Sequence, residues 1–373
     1  MNPSKSTTTA LLPLAAVVLS AAILYRLDSF DPSPLPLHLI PHPLLSAPLQ
    51  NSHVLEGAEF IGRPDELQAP EDLVYDEETG FIYTGCADGW VKRVSVGGKA
   101  DDAVVEKVVF TGGHPLGLAK GLFGNWIVAD VHKGLLNVTK EGTVEVLTTE
   151  AEGLPFGLTD AVDVAKDGMI YFTDASYKHS FENHMLDILE GKPHGRFLSY
   201  NPCTKVTEVL VRDLYFANGV VVSEDQTHAI FCETVMQRCM KYHLKGSKGG
   251  TVEKFIDGLP GGPDNIHYNN DGLYSIGLST GASFTWNILL KYPSVRKITA
   301  MFHKSTGLPD LGREAGAILV DKEGRPTAHY HDVKLSLSSS AITVGEYLYF
   351  GSVGYPYILR LNTTKYPAVE NYL

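Results

Sequence analysis

One phrase recurs six times along the chain: an apolar run, a turn usually built on glycine, then a short strand rich in aromatic residues. The copies are DEETGFIYTG (76–85), GLFGNWIVAD (121–130), AKDGMIYFTD (165–174), SEDQTHAIFCE (223–233), NNDGLYSIGL (269–278) and TVGEYLYFGS (343–352). A strand-built unit with a period of about 40–50 residues cannot bury its apolar face alone, so its copies must stack. Stacked in a ring they give an all-β fold, a six-bladed β-propeller, with a four-stranded antiparallel meander per repeat. Asp167-Gly168 marks the hairpin of the third copy, because glycine supplies the positive φ such a turn requires. Two stretches break the pattern. Residues 181–190 and 287–302 (NILLKYPSVRKITAMF) have helical spacing and read as inserts over one face of the ring.

Equivalent points of successive blades face one central channel. Glu71 in PEDLVYD, Asp160 in LTDAVDV, Asn218 in FANGVVV, and Asp264 and Asn265 in GGPDNIHY stand at matching places, each about 7–10 residues before its turn. Any one of them alone would read as a turn or strand-end cap. Their shared phase points instead to one cation held by side chains from several blades, and an all-oxygen set suits Ca²⁺. His114 and His132 flank the second-blade strand, and a channel-facing histidine can act as a general base, so His114 is the candidate for proton transfer. His329 and His331 sit at strand spacing without an evident third ligand. There is no GxSxG, HExxH, P-loop or helix-leading GxGxxG motif.

The formal net charge of −12, with no Lys/Arg cluster, argues against a nucleic-acid partner and leaves a small molecule as the expected one. Oligomeric state is not legible. Residues 11–25 (LLPLAAVVLSAAILY) are apolar and uncharged, between Lys5 and Arg26. They fit a cleaved signal peptide or, taken as residues 10–26 and tilted, a retained membrane anchor. Both routes lead into the secretory pathway: endoplasmic reticulum, vacuole or extracellular space. Domain boundaries follow: signal or anchor over 1–30, a Pro-rich linker that is extended and does not pack over 31–58, and the propeller over 59–373. The sequons at Asn137 and Asn362 would be glycosylated in that compartment. Of the four cysteines, Cys232 and Cys239 lie on either side of a hairpin, and either bridge or stay as buried thiols.

PEDLVYD, HPLGLAK, VADVHKGLL, DVAKDGMIYFTDAS, FANGVVVSED and LPGGPDNIHYNNDG together resemble the strictosidine synthase-like proteins of plants, whose animal relatives are the adipocyte plasma membrane-associated proteins. The likeness runs from about residue 60 to 360 in the same order. It implies a six-bladed propeller behind a signal or anchor, and distant kinship with paraoxonase-type hydrolases that hold calcium in the channel. Carried over, the calcium ligands fall on Glu71, Asp160, Asn218, Asp264 and Asn265, with Asp160 replacing the usual asparagine and Ala161 following it. The paraoxonase channel histidine aligns with Leu116, two places after His114. The glutamate of true strictosidine synthase falls on Ser340, which cannot move the amine proton of a Pictet–Spengler condensation unaided. The resemblance therefore implies a metal-dependent hydrolase of esters, lactones or related small molecules. The alternatives are a condensing synthase, which Ser340 disfavours, and a non-catalytic propeller that binds a small ligand or a protein.

Overall fold

The computed structural model describes residues 23–41, 44–269, 271–306 and 313–370. Six sheets, each built on an antiparallel meander, surround a channel, and the innermost strand of each begins a blade: Val74–Asp76, Pro115–Lys120, Thr159–Val164, Ala217–Val222, Gly261–Tyr268 and Ser338–Val344. Each of the six recurring phrases is the hairpin joining a first strand to a second. Second strands such as Trp126–Asp130 and Ile170–Asp174 are buried along their whole length, because a neighbouring blade covers each face. Phe197, Phe231 and Ala229 fill the gap between blades 3 and 4, and Ile230, Ile266, Ile276 and Ile318 that between blades 4 and 5. The ring closes non-locally. Ala58–Ile61, early in the chain, pairs antiparallel with Ile358–Asn362 and completes the last blade.

Both inserts are helical and lie between second and third strands. In blade 3 the insert carries α1 (His184–Glu190); in blade 5 it carries α2 (Phe284–Lys291) and α3 (Pro293–Thr306). Ser283 caps α2 by accepting the Trp286 N–H at 3.2 Å, and Pro293 opens α3, where its missing N–H costs nothing. Ile188, Leu189, Trp286, Leu289, Leu290 and Ala300 pack into one apolar core that caps this end of the channel.

The Pro-rich segment corrects an expectation. It is extended, but it packs. Phe30 and Leu35 join the cap core, Ile40 and Ala47 are buried, and Leu49–Asn51 runs parallel to Pro326–His331. The Ser33 N–H donates to Glu190 O at 2.8 Å and the Leu45 N–H to Gly258 O at 2.6 Å. Proline removes much of the entropy an extended strand would otherwise lose on docking, so such a segment straps onto a surface readily. Residues 23–27 are helical; the rest of the apolar N-terminal run lies outside the described residues. Among the described residues no helix is long and apolar enough to cross a membrane.

Cys232 and Cys239 form a disulfide across paired strands of blade 4, while Cys86 is a buried thiol and Cys203 an exposed one. Asn137 and Asn362 are half-buried on strands 134–138 and 358–362.

Candidate metal centre

The inner strands of blades 2 to 6 share an irregularity. Pairing with the second strand skips between Pro115 and Leu118, Thr159 and Val162, Ala217 and Val220, Pro263 and Ile266, and Ser338 and Ala341. Two residues bulge out of the ladder in each blade: Leu116-Gly117, Asp160-Ala161, Asn218-Gly219, Asp264-Asn265 and Ser339-Ser340. A bulge bends the strand and re-aims its side chains. In blade 1, Glu71-Asp72 occupies the matching place just ahead of its strand, held by the Glu71 N–H donating to Gly85 O at 3.0 Å. In blades 1, 3, 4 and 5 the first residue of the pair is a candidate ligand: Glu71, Asp160, Asn218 and Asp264.

One oxygen from each of Glu71, Asp160 and Asp264 lies within 4.8 Å of the others, and all three residues are buried. Glu71 Oε1 accepts from Asn265 Nδ2 at 2.6 Å. Asn218 Nδ2 donates to Thr234 Oγ1 at 3.3 Å, and Thr234 Oγ1 donates to Pro263 O at 2.7 Å. This leaves Glu71 Oε2 and Asn218 Oδ1 buried without a partner. Three of the five residues expected at the centre therefore gather their oxygens in one place, and a fourth, Asn218, lines the same cavity. The fifth, Asn265, stands in the second bulge position and steers Glu71.

Burial, and then the neighbouring carboxylates with Asp264 foremost, hold Glu71 and Asp160 well above the ordinary carboxylate range. Asp264 is pushed by burial to about 7, against hydrogen bonds from Asn218 and Ser279 that favour its ionised form. Three carboxyl groups in a dry site cannot all ionise unless a cation joins them. The donor set is oxygen only, carboxylates plus an amide carbonyl, which fits a hard ion such as Ca²⁺ and not a thiophilic one.

The second bulge positions build a separate layer. Asp72 Oδ1 accepts from His267 Nε2 (2.7 Å), Ser340 Oγ (3.0 Å) and its neighbour Leu73 N–H (2.8 Å), and Oδ2 accepts from the Leu118 N–H at 3.1 Å. His267 lies half-buried against this carboxylate, whose charge raises the imidazole pKa against the cost of desolvation and is itself stabilised in return. These contacts satisfy Asp72 and tie blade 1 to blades 2, 5 and 6.

Above the carboxylates lies a cavity of about 420 Å³. Its walls are mostly apolar, with Leu116, Phe181, Met185, Phe216, Trp286 and Leu337 among them, and Glu71, Asp160, Asn218 and Asp264 form its floor. The imidazole in the lining is His184. His114 packs edge-on against Phe181 with ring centroids 4.6 Å apart, and its backbone N–H donates to Asp130 Oδ1 at 3.1 Å. His184 Nδ1 lies 2.6 Å from Phe181 O, which can only accept, so Nδ1 carries the proton and Nε2 the lone pair. Burial lowers the His184 pKa and keeps the ring neutral. Sequence reasoning had no signal to prefer it among 14 histidines, since α1 alone brings it over the channel.

Two family descriptions match the chain: "Strictosidine synthase" over residues 160–247 and "Strictosidine synthase-like, N-terminal" over residues 47–94. Protein STRICTOSIDINE SYNTHASE-LIKE 6 of Arabidopsis thaliana is 52% identical over 353 residues, covering 94% of both chains. The chain belongs to the strictosidine synthase-like family. The adipocyte plasma membrane-associated protein of Gallus gallus is 30% identical and covers 94% of this chain and 88% of its own. Among solved structures, a gluconolactonase of Xanthomonas campestris superposes with a TM-score of 0.58 at 14% identity, covering 85% of this chain and 95% of its own. A calcium-binding regucalcin of Agrobacterium tumefaciens gives 0.57 at 14% identity with the same coverage. At such identities these structures confirm the propeller fold and no more.

In this strictosidine synthase-like chain the FANG stretch joins ligand to packing. A Cβ on Gly219 would stand 2.3 Å from Asp264 O, in the next blade. Gly219→Ala must push the Asp264 strand away from the axis. We expect it to weaken calcium binding by about tenfold or more while costing roughly 1–3 kcal/mol of stability. Calcium titration by calorimetry checks this; unchanged affinity would show that the two bulges are not coupled.

Proposed function

We propose that this protein is a calcium-dependent hydrolase of small esters, lactones or related molecules, acting in the secretory pathway. The observation that carries the reading is the pair of orphaned buried oxygens, Glu71 Oε2 and Asn218 Oδ1, beside two further buried carboxylates at the foot of a cavity. Glu71, Asp160, Asn218 and Asp264 would hold the ion. When bound, calcium polarises a carbonyl or phosphoryl oxygen and stabilises the charge that develops there. The apolar walls exclude water and orient the rest of the substrate. Neutral His184 takes a proton from the attacking water on Nε2, while Phe181 O holds the opposite side of the ring. The gluconolactonase and regucalcin likenesses agree with such chemistry on this scaffold.

A condensing synthase is the poorer reading. Ser340, where the resemblance expects a glutamate, is buried and committed to Asp72, so no carboxylate is offered at that place. The apolar N-terminal run, the sequons at Asn137 and Asn362, and the name of the animal relatives support a secretory or membrane-bound setting.

Purified full-length protein should contain one calcium per chain. Chelation should lower its Tm and reduce turnover of an ester and lactone panel by at least about 100-fold, with calcium restoring both. A metal-free preparation whose Tm ignores both chelator and calcium would end the proposal.

A further inference from the structure

The α2–α3 insert, residues 284–306, contains no acidic residue in a chain that carries 43, and neither do residues 1–27. The structure places residues 23–27 beside this insert. Lys297 Nζ donates to Asp28 O at 2.8 Å and lies 4.9 Å from the centre of the Tyr25 ring. Lys304 Nζ lies 5.3 Å from the Phe30 ring. The described end of the apolar run, residues 23–25, therefore lies against the helical cap.

The cap is amphipathic in an unusual sense. Its inner side buries Trp286, Leu289, Leu290 and Ala300. Its outer side keeps large apolar groups in solvent: Leu24, Leu27, Phe284, Tyr292 and Ile298 are 59%, 76%, 79%, 45% and 46% exposed. Arg26, Lys291 and Lys304 are exposed beside them. Aromatic and aliphatic side chains interleaved with lysine and arginine, with Asp28 paired to Lys304 at 3.5 Å at the edge, on a chain of net charge −12, match the chemistry of a headgroup layer above acyl chains.

We propose that the outer face of α2 and α3, with residues 23–27, docks on the surface of an anionic lipid bilayer. The same cap supplies Phe181, His184, Met185 and Trp286 to the cavity wall, so docking turns the candidate site toward the membrane. Apolar ligands then reach the cavity from the lipid side. The proposal concerns orientation and does not depend on the hydrolase reading.

The test uses full-length protein reconstituted into phosphatidylcholine–phosphatidylserine vesicles. A fluorophore is placed at Ile298→Cys in a Cys203→Ser background, and in parallel on native Cys203. Cys203 lies in the turn between third and fourth strands of blade 3, on the end of the propeller away from the cap. Cys86 is buried and stays unlabelled. Doxyl-labelled lipid should quench the label at position 298 at least about threefold more than the label on Cys203. Quenching at 298 should fall when phosphatidylserine is omitted, and again with Lys291→Glu plus Lys304→Glu. Equal quenching at both positions would mean that the N-terminal segment merely tethers a freely tumbling propeller, and would overturn the proposal. So would a label at 298 shielded from lipid by a second copy of the chain.

Discussion

Asp264→Asn is expected to move stability in opposite directions depending on calcium. In chelator the variant should be more stable than the parent at pH 8, because it removes one of three buried carboxylates that repel one another. A carboxyl group shifted from 3.8 to about 7 carries at most about 4 kcal/mol of penalty when ionised, and an amide of the same shape carries none of it. With calcium the order reverses, since the parent gains about 4 kcal/mol at a thousandfold excess over its Kd and the variant binds far less ion. The sign with pH follows from the raised pKa. The contribution of Asp264 to the ion-free protein is fully present below the unfolded value of 3.8 and is lost as pH rises toward about 7. Ion-free parent protein should therefore lose Tm between pH 4 and 7, and Glu71 and Asp160, displaced in the same direction, add to the loss. Saturating calcium should flatten this slope, and turnover by the variant should fall by about 100-fold or more. Scanning calorimetry with and without chelator at several pH values measures all of it. A variant less stable than the parent in chelator at pH 8 would show that the carboxylates do not strain the ion-free site.

Arg296→Met should release the N-terminal strap. Arg296 is 1% exposed, and its Nη1 donates to Leu189 O at 3.1 Å while Nη2 donates to Ser33 O. It faces no carboxylate; its charge rests on the carbonyl end of α1 and on the strap, and burial lowers its pKa to about 10. Methionine fills much of the volume but leaves two buried carbonyl oxygens without a donor, at a cost of roughly 2–4 kcal/mol. Hydrogen exchange should show the Ser33 amide, bonded to Glu190 O, losing protection, while Leu45, bonded to Gly258 O further along, keeps more of its own. Unchanged Tm and unchanged Ser33 exchange would mean that the strap is held by its apolar contacts alone.

Much of the molecule was legible because propeller information is local and repeated. Each hairpin announces itself by a turn flanked by strand residues, and six copies at one period leave few ways to stack. The acidic and amide residues were findable for the same reason, since equivalent places in a repeat occupy equivalent places around an axis. The helical inserts were visible as breaks in that period.

What stayed hidden depends on contacts between distant parts. Its prolines make the linker look unpacked; it docks because the cap offers Phe30 and Leu35 an apolar seat and Arg296 a donor. His114 looked better placed than His184 in sequence, yet Phe181 stands against the first while α1 brings the second to the cavity. Asp264 and Asn265 were indistinguishable as neighbours, but the bulge gives them different jobs, one facing the centre and the other steering Glu71. The sequence by itself determined the ring of six blades, the phase of its oxygen-bearing residues and the family, because those follow from spacing along one strand at a time. Only the tertiary structure decided which atoms meet at the axis, which histidine joins them and what covers them, because side-chain direction at a bulge and the seating of inserts are set by the blades on either side.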